Sequence, residues 1–174
     1  MRKTHAVVIV GLGVGILAGA ASADEPKPAK GSFQNIEVTR FAIKEGVENF
    51  SADWLITMTD EMVKQLQETR SFKEVLREGE HPAAADASTL KLAGTVTEFK
   101  AGSRAKRYLV GFGAGKTVIK AHVQWVDQAN GNVVFEDDVD GKVIIGAIGG
   151  ESIGATRGLA KEVAKVTKKQ FFGK

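Results

Sequence analysis

Apolar residues recur along this chain at two periods, and the change of period marks its elements. From Phe33 to Ile43, Ile36 and Val38 alternate with Glu37 and Thr39, the period-two pattern of a half-buried strand. Gly46 and Asn49 mark a turn, Ser51 is a helix N-cap, and Asp53 sits in the first turn, where the helix dipole favours an acid. Trp54, Leu55, Met58, Met62, Val63 and Leu66 then fall at helical spacing and predict a helix from Asp53 to Thr69. Phe72, Val75 and Leu76 predict a short second strand, and Gly79 to Ser88 a loop centred on Pro82. Leu90, Leu92 and Val96 alternate in a third strand ending near Phe99. In a fourth strand, Thr117, Ile119, Ala121, Val123 and Trp125 share one face, and Lys120, His122 and Gln124 share the other. Asn130-Gly131 is a hairpin turn, after which Val133, Phe135 and Val139 form a fifth strand with Glu136 and Asp138 outward. Leu159, Val163, Val166 and Thr167, with Ala160 and Ala164, predict a second helix from about Ile153 to Phe172. The order β-α-β-β-β-β-α is of the α+β class: a mostly antiparallel or mixed five-stranded sheet with two helices packed on one face.

The N-terminus changes the picture from a cytosolic domain to an exported one. Arg2 and Lys3 precede fifteen uncharged residues, Ala6 to Ala20, and Ala21-Ser22-Ala23 is an A-x-A cleavage site. That order of charge, apolar run and small residues is a secretory signal peptide. The alternative is a retained membrane anchor, although the run falls short of the about 20 residues a span needs. The reading divides the chain into a signal peptide (1–23), a flexible tether (24–32) and one domain (33–174), located in the periplasm or cell envelope. Losing Arg2 and Lys3 lowers the formal net charge from +3 to +1, so basicity has to be sought in local clusters. The chain has no Cys, which removes disulfides, thiolate metal sites, Cys nucleophiles and lipidation together.

Those clusters carry the candidate chemistry. Gly111-Phe112-Gly113-Ala114-Gly115-Lys116-Thr117 ends like a phosphate-binding loop, but Val110 stands where its first glycine belongs and a strand follows instead of a helix. The same connection holds Lys100, Arg104, Lys106, Arg107 and Lys116 with Tyr108 and Phe112 between them, and no acid from Lys100 to Lys120. It is either a solvated loop or a contact for an anionic lipid, a cell-wall polymer or an acidic partner; export makes nucleic acid the wrong target. Gly150, Gly154 and Gly158 recur every four residues and line one side of a helix, the spacing that lets a second backbone approach closely. They mark an interface, or a loop, or close packing of that helix on its own sheet. Arg157, Lys161, Lys165, Lys168 and Lys169 make a basic stripe opposite the apolar face, either a solvated face or one attracted to an anionic surface. Catalytic ingredients are thin. His81 and His122 are the histidines of the mature chain, and neither has a nucleophile beside it. Glu136, Asp137, Asp138 and Asp140 alternate across two faces of a strand and lack the glycine spacing of a calcium loop. No catalytic residue, cofactor or metal site is expected.

The stretches LAGTVTEFKAGSRAKRYLVGFGAGKT and VQWVDQANGNVVFEDDVDGK resemble the bacterial family known as domain of unknown function 4410. The resemblance runs from about Ile36 to Val166 and is most specific over Gly102 to Lys116 and Asp127 to Gly131. It implies a small exported protein or lipoprotein without an assigned activity, and this chain departs from the lipoprotein members in having no Cys. More loosely, the element order is similar to the periplasmic domains of TolB-type and curli-secretion proteins, which implies action through protein contacts. The expectation is a non-enzymatic envelope protein that binds another envelope protein or itself. The alternative is a binder of an anionic small ligand, lipid surface or polymer through Lys100 to Lys116.

Overall fold

The computed structural model describes residues 29–85, 87–101, 117–142 and 151–173. Strands β1 (Asn35–Val38) and β2 (Ala42–Ile43) precede helix α1 (Ala52–Glu68). Strands β3 (Glu74–Arg77), β4 (Thr89–Lys100), β5 (Val118–Asp127) and β6 (Val133–Lys142) follow, and helix α2 (Glu151–Phe172) ends the described fold. The expected α+β architecture is present. The sheet has six strands, because the first expected strand is split into β1 and β2.

The sheet is mixed, in the order β3-β1-β4-β5-β6. β1 runs parallel to both β3 and β4, while β4, β5 and β6 form an antiparallel meander. β2 pairs further along the same edge of β4, with Ala42 opposite Thr95 and Ile43 opposite Val96. The interruption between β1 and β2 has a side-chain cause. Phe41 is buried, and its ring lies where a Cβ on Gly94 would be, with ring atoms 2.5–2.8 Å from that position. Gly94 makes room for the ring, and the strand is interrupted for three residues, Thr39, Arg40 and Phe41, to place it.

Both helices cover one face of the sheet. Ser51 Oγ caps α1 by accepting the Trp54 N–H, and Leu55, Met58, Met62, Val63 and Leu66 turn inward as expected. Ile119, Ala121, Val123 and Trp125 of β5 are buried beneath α2, alongside Ala155, Leu159, Ala160, Val163 and Ala164. Gly141 lets α2 approach β6 at backbone distance: a Cβ there would lie 2.6 Å from Leu159 Cβ and 2.8 Å from the Ala155 carbonyl oxygen. Edge-to-face ring pairs Phe33–Phe171 and Phe72–Phe172 fasten the end of α2. Beyond it, Gly173, at φ 74°, donates to the Lys168 and Lys169 carbonyls.

The hairpin between β5 and β6 turns where expected. Asp127 accepts from the Ala129 N–H and the Asn130 side-chain amide, and Gly131 has φ 78°. On the far face, the loop after β3 folds over β1. Glu37, expected on a polar strand face, is buried and accepts from the Gly79 N–H at 3.1 Å and Gln128 Nε2 at 3.1 Å. Two residues earlier, the Asn35 amide is also buried and has no hydrogen-bond partner among the described residues.

Candidate functional site

The face of the sheet turned away from the helices carries its chemistry in rows fixed by strand register. Thr95, His122 and Asp138 form one row, Glu98, Lys120 and Asp140 the next, and Ala93, Gln124 and Glu136 a third. His122 Nδ1 lies 3.0 Å from Asp138 Oδ1, and its Nε2 lies 3.5 Å from Glu136 Oε2. Gln124 Nε2 donates to Glu136 at 3.2 Å. Glu98 bridges two lysines, Lys100 at 2.5 Å and Lys120 at 3.1 Å. Its hydrogen bonds to Lys100 and then Lys120 hold its carboxyl below the ordinary carboxylate value, and the same contact pushes the Lys120 ammonium up.

The acids of β6 alternate across two faces as the sequence predicts. Glu136, Asp138 and Asp140 line the open face as a strip of negative charge, and Asp137 projects on the helix side, exposed at the sheet edge. The Asp138 side chain is 83% exposed, so most of its charge meets solvent despite the neighbouring imidazole. Among the described residues, no group of three His, Asp or Glu side chains is placed to hold a metal ion. His81 is exposed in the loop after β3.

The basic stripe of α2 divides in two. Arg157 is not part of a free basic face: its Nε donates to Glu61 Oε1 of α1 at 3.2 Å, and it is partly buried there. Lys161, Lys165 and Lys169 are exposed, Lys168 is half-buried, and Lys165 reaches Glu162 at 3.2 Å. Gly154 and Gly158, the described members of the glycine series, are both buried. Gly150 lies outside the described residues, as do Arg104, Lys106, Arg107 and Lys116. Lys100, at the start of that basic connection, is engaged by Glu98.

Register places the roots of these segments together. Val118 stands opposite both Lys100 and Lys142, so β4 and β6 end, and β5 begins, at one end of the sheet. The same end holds a ring cluster in which Phe99 lies 5.3 Å from Phe50 and 4.8 Å from Trp54, centroid to centroid. At the opposite sheet edge, an open groove of about 460 Å³ runs beside β3, lined in part by Arg70, Phe72, Lys73 and Val75. Sequence reading missed the His122–Asp138–Glu136 grouping and the Glu98 bridge, because both depend on strand register. Alternation of polar residues on the fourth and fifth strands was the available signal.

No curated protein matches the chain. Among solved structures, it is similar to the PelC dodecamer from Paraburkholderia phytofirmans at 17% identity, covering 80% of this chain and 92% of that one with a TM-score of 0.54. It is also similar to protein XCC0632 from Xanthomonas campestris, of the DUF330 family, at 11% identity with 87% and 90% covered and a TM-score of 0.50. At such identities these likenesses establish a shared fold. The model of the domain of unknown function DUF4410 matches residues 32–147, from the segment before β1 to beyond the end of β6, and the chain belongs to that family.

Proposed function

We propose that this chain is an exported, non-enzymatic subunit that acts in the cell envelope by assembling with copies of itself. The observation that carries the reading is the fold shared, over 80% of this chain and 92% of the other, with a protein whose structure is a dodecamer. The character of the chain's own surface supports it. The acids Glu136, Asp138 and Asp140 of the open face are exposed, which leaves charge available to a second surface. Among the described residues no helix is long and apolar enough to cross a membrane, and the sequence supplies the export signal. Gly154 and Gly158 are buried within one chain, which favours close packing of α2 on its own fold over a contact between copies at these two glycines.

The test is to express the full chain in a Gram-negative host, purify it from the envelope fraction, and measure intact mass and particle mass together. A chain beginning at Asp24 and a particle several times its mass are expected. A particle of one copy at every attainable concentration would refute self-association. A mass retaining residues 1–23 would refute processing and favour the anchor.

A further inference from the structure

Opposite charges lie on opposite layers of this fold. On α2, Lys161, Lys165 and Lys169 are exposed in one i, i+4, i+8 line. They stand two positions from Leu159 and Val163, which are buried against the sheet, so they point away from it, about 200° around the helix. On β6, Glu136, Asp138 and Asp140 project from the other side of the sheet, and all three are exposed. The sheet separates the two lines, and one copy cannot bring them together.

The two lines match in spacing. Lysines four residues apart on a helix repeat every about 6 Å, so the stripe runs about 12 Å. Acids two residues apart on a strand repeat every about 7 Å, so theirs runs about 13 Å. Three positive groups can therefore meet three negative ones in register. A symmetric contact that lays either line on its own copy sets like charges against each other, which opposes it, and the cations of the sheet face, Lys100, Lys120 and His122, already lie against Glu98, Glu136 and Asp138. A contact from the helix face of one copy to the sheet face of the next satisfies both. Such a contact is heterologous, and it repeats until the rotation closes a ring.

We propose that copies of this chain assemble head to tail, with the Lys161, Lys165 and Lys169 stripe of one copy seated on the Glu136, Asp138 and Asp140 face of the next. This rests on the self-association reading above and adds its interface and polarity.

Two charge-reversed triples test it by light scattering of the full processed protein. One is Lys161→Glu with Lys165→Glu and Lys169→Glu; the other is Glu136→Lys with Asp138→Lys and Asp140→Lys. Each triple alone is expected to fall to the mass of one copy while keeping the wild-type circular dichroism spectrum. An equimolar mixture is expected to regain a multimeric mass, because each variant's helix face then complements the other's sheet face. Should a triple not fold, the wild type still decides. In about 1 M salt, where the Debye length is about 3 Å, its particle mass should drop. Wild-type assembly that persists in salt, or in a folded triple by itself, overturns the head-to-tail contact and leaves self-association standing. A wild type that is a single copy in low salt removes both readings at once.

Discussion

The Trp125 indole N–H donates to the Thr167 hydroxyl at 2.9 Å, and that hydroxyl donates to the Val163 carbonyl oxygen at 2.7 Å. Trp125 is fully buried between β5 and α2, and Thr167 is buried with it. The pair joins sheet to helix by a polar contact in an otherwise apolar layer. A buried indole N–H has to find an acceptor, and Thr167 supplies one while satisfying its own proton within the helix.

Two substitutions separate the packing from the hydrogen bond. Trp125→Ala should destabilise the fold by about 3–5 kcal/mol through lost burial and the cavity left behind. Thr167→Val keeps the volume and removes the acceptor, so it should cost about 1–3 kcal/mol for the stranded N–H. Urea unfolding of the two variants checks both values. No loss from Thr167→Val would mean that Thr167 contributes through packing alone.

Trp125 also shows how much of the fold is legible in the sequence. Its burial follows from period-two alternation through Ile119, Ala121 and Val123, which is local information. The two helices, their inward faces and the Asn130-Gly131 turn are local in the same sense. What is not local is lost. The break after Val38 depends on Gly94 receiving the Phe41 ring, and nothing near Phe41 announces it. Glu37 reads as an outward acid because Gly79 and Gln128, which satisfy it, are far along the chain. Arg157 reads as one of five solvated cations because Glu61 is 96 residues away. The parallel placement of β1 between β3 and β4 is a pairing choice that alternation cannot encode. Among the candidate site residues, the β6 acids were visible as a run, and only register brings His122 between two of them.

The Phe41–Gly94 contact predicts a coupled pair. Alanine is the better strand residue by roughly 0.5–1 kcal/mol where space allows. Here the new methyl meets the ring, and Gly94→Ala should instead cost about 1–3 kcal/mol. In a Phe41→Leu background much of that penalty should vanish, since the ring atoms that clash are gone. A double-mutant cycle measured in urea gives the coupling. Additive losses would show that Gly94 is needed for backbone conformation and not for the ring.

Asn35 predicts a gain. Its amide is buried without a partner among the described residues, and an unsatisfied buried polar group costs about 1–3 kcal/mol. Its backbone N–H, which donates to the Ser88 carbonyl, survives substitution. Asn35→Val replaces the amide with a β-branched side chain suited to a strand, so the urea midpoint should rise. A fall of more than about 1 kcal/mol would show that the amide is satisfied by a bound water, which Val would displace.

Glu98 predicts a pH dependence whose sign is fixed by its partners. The hydrogen bonds from Lys100 and Lys120 favour the ionised carboxylate and lower its pKa. A carboxyl lowered in the folded state stabilises the fold fully above its unfolded value, and that contribution is lost as pH falls through the folded value. Lys120 is raised, so its share is complete below the ordinary lysine value and is lost as pH rises through the raised one. The bridge is therefore whole across the neutral range and opens at both ends. Its contribution to stability is small, because the three groups meet solvent, and the titration midpoint is the sensitive readout. Followed by carboxyl NMR, Glu98 should titrate below an ordinary glutamate. Lys100→Met should return the midpoint upward more than Lys120→Met, since Lys100 makes the larger contribution. A wild-type midpoint at or above the ordinary value would mean that desolvation outweighs both lysines and that the bridge does not hold in solution.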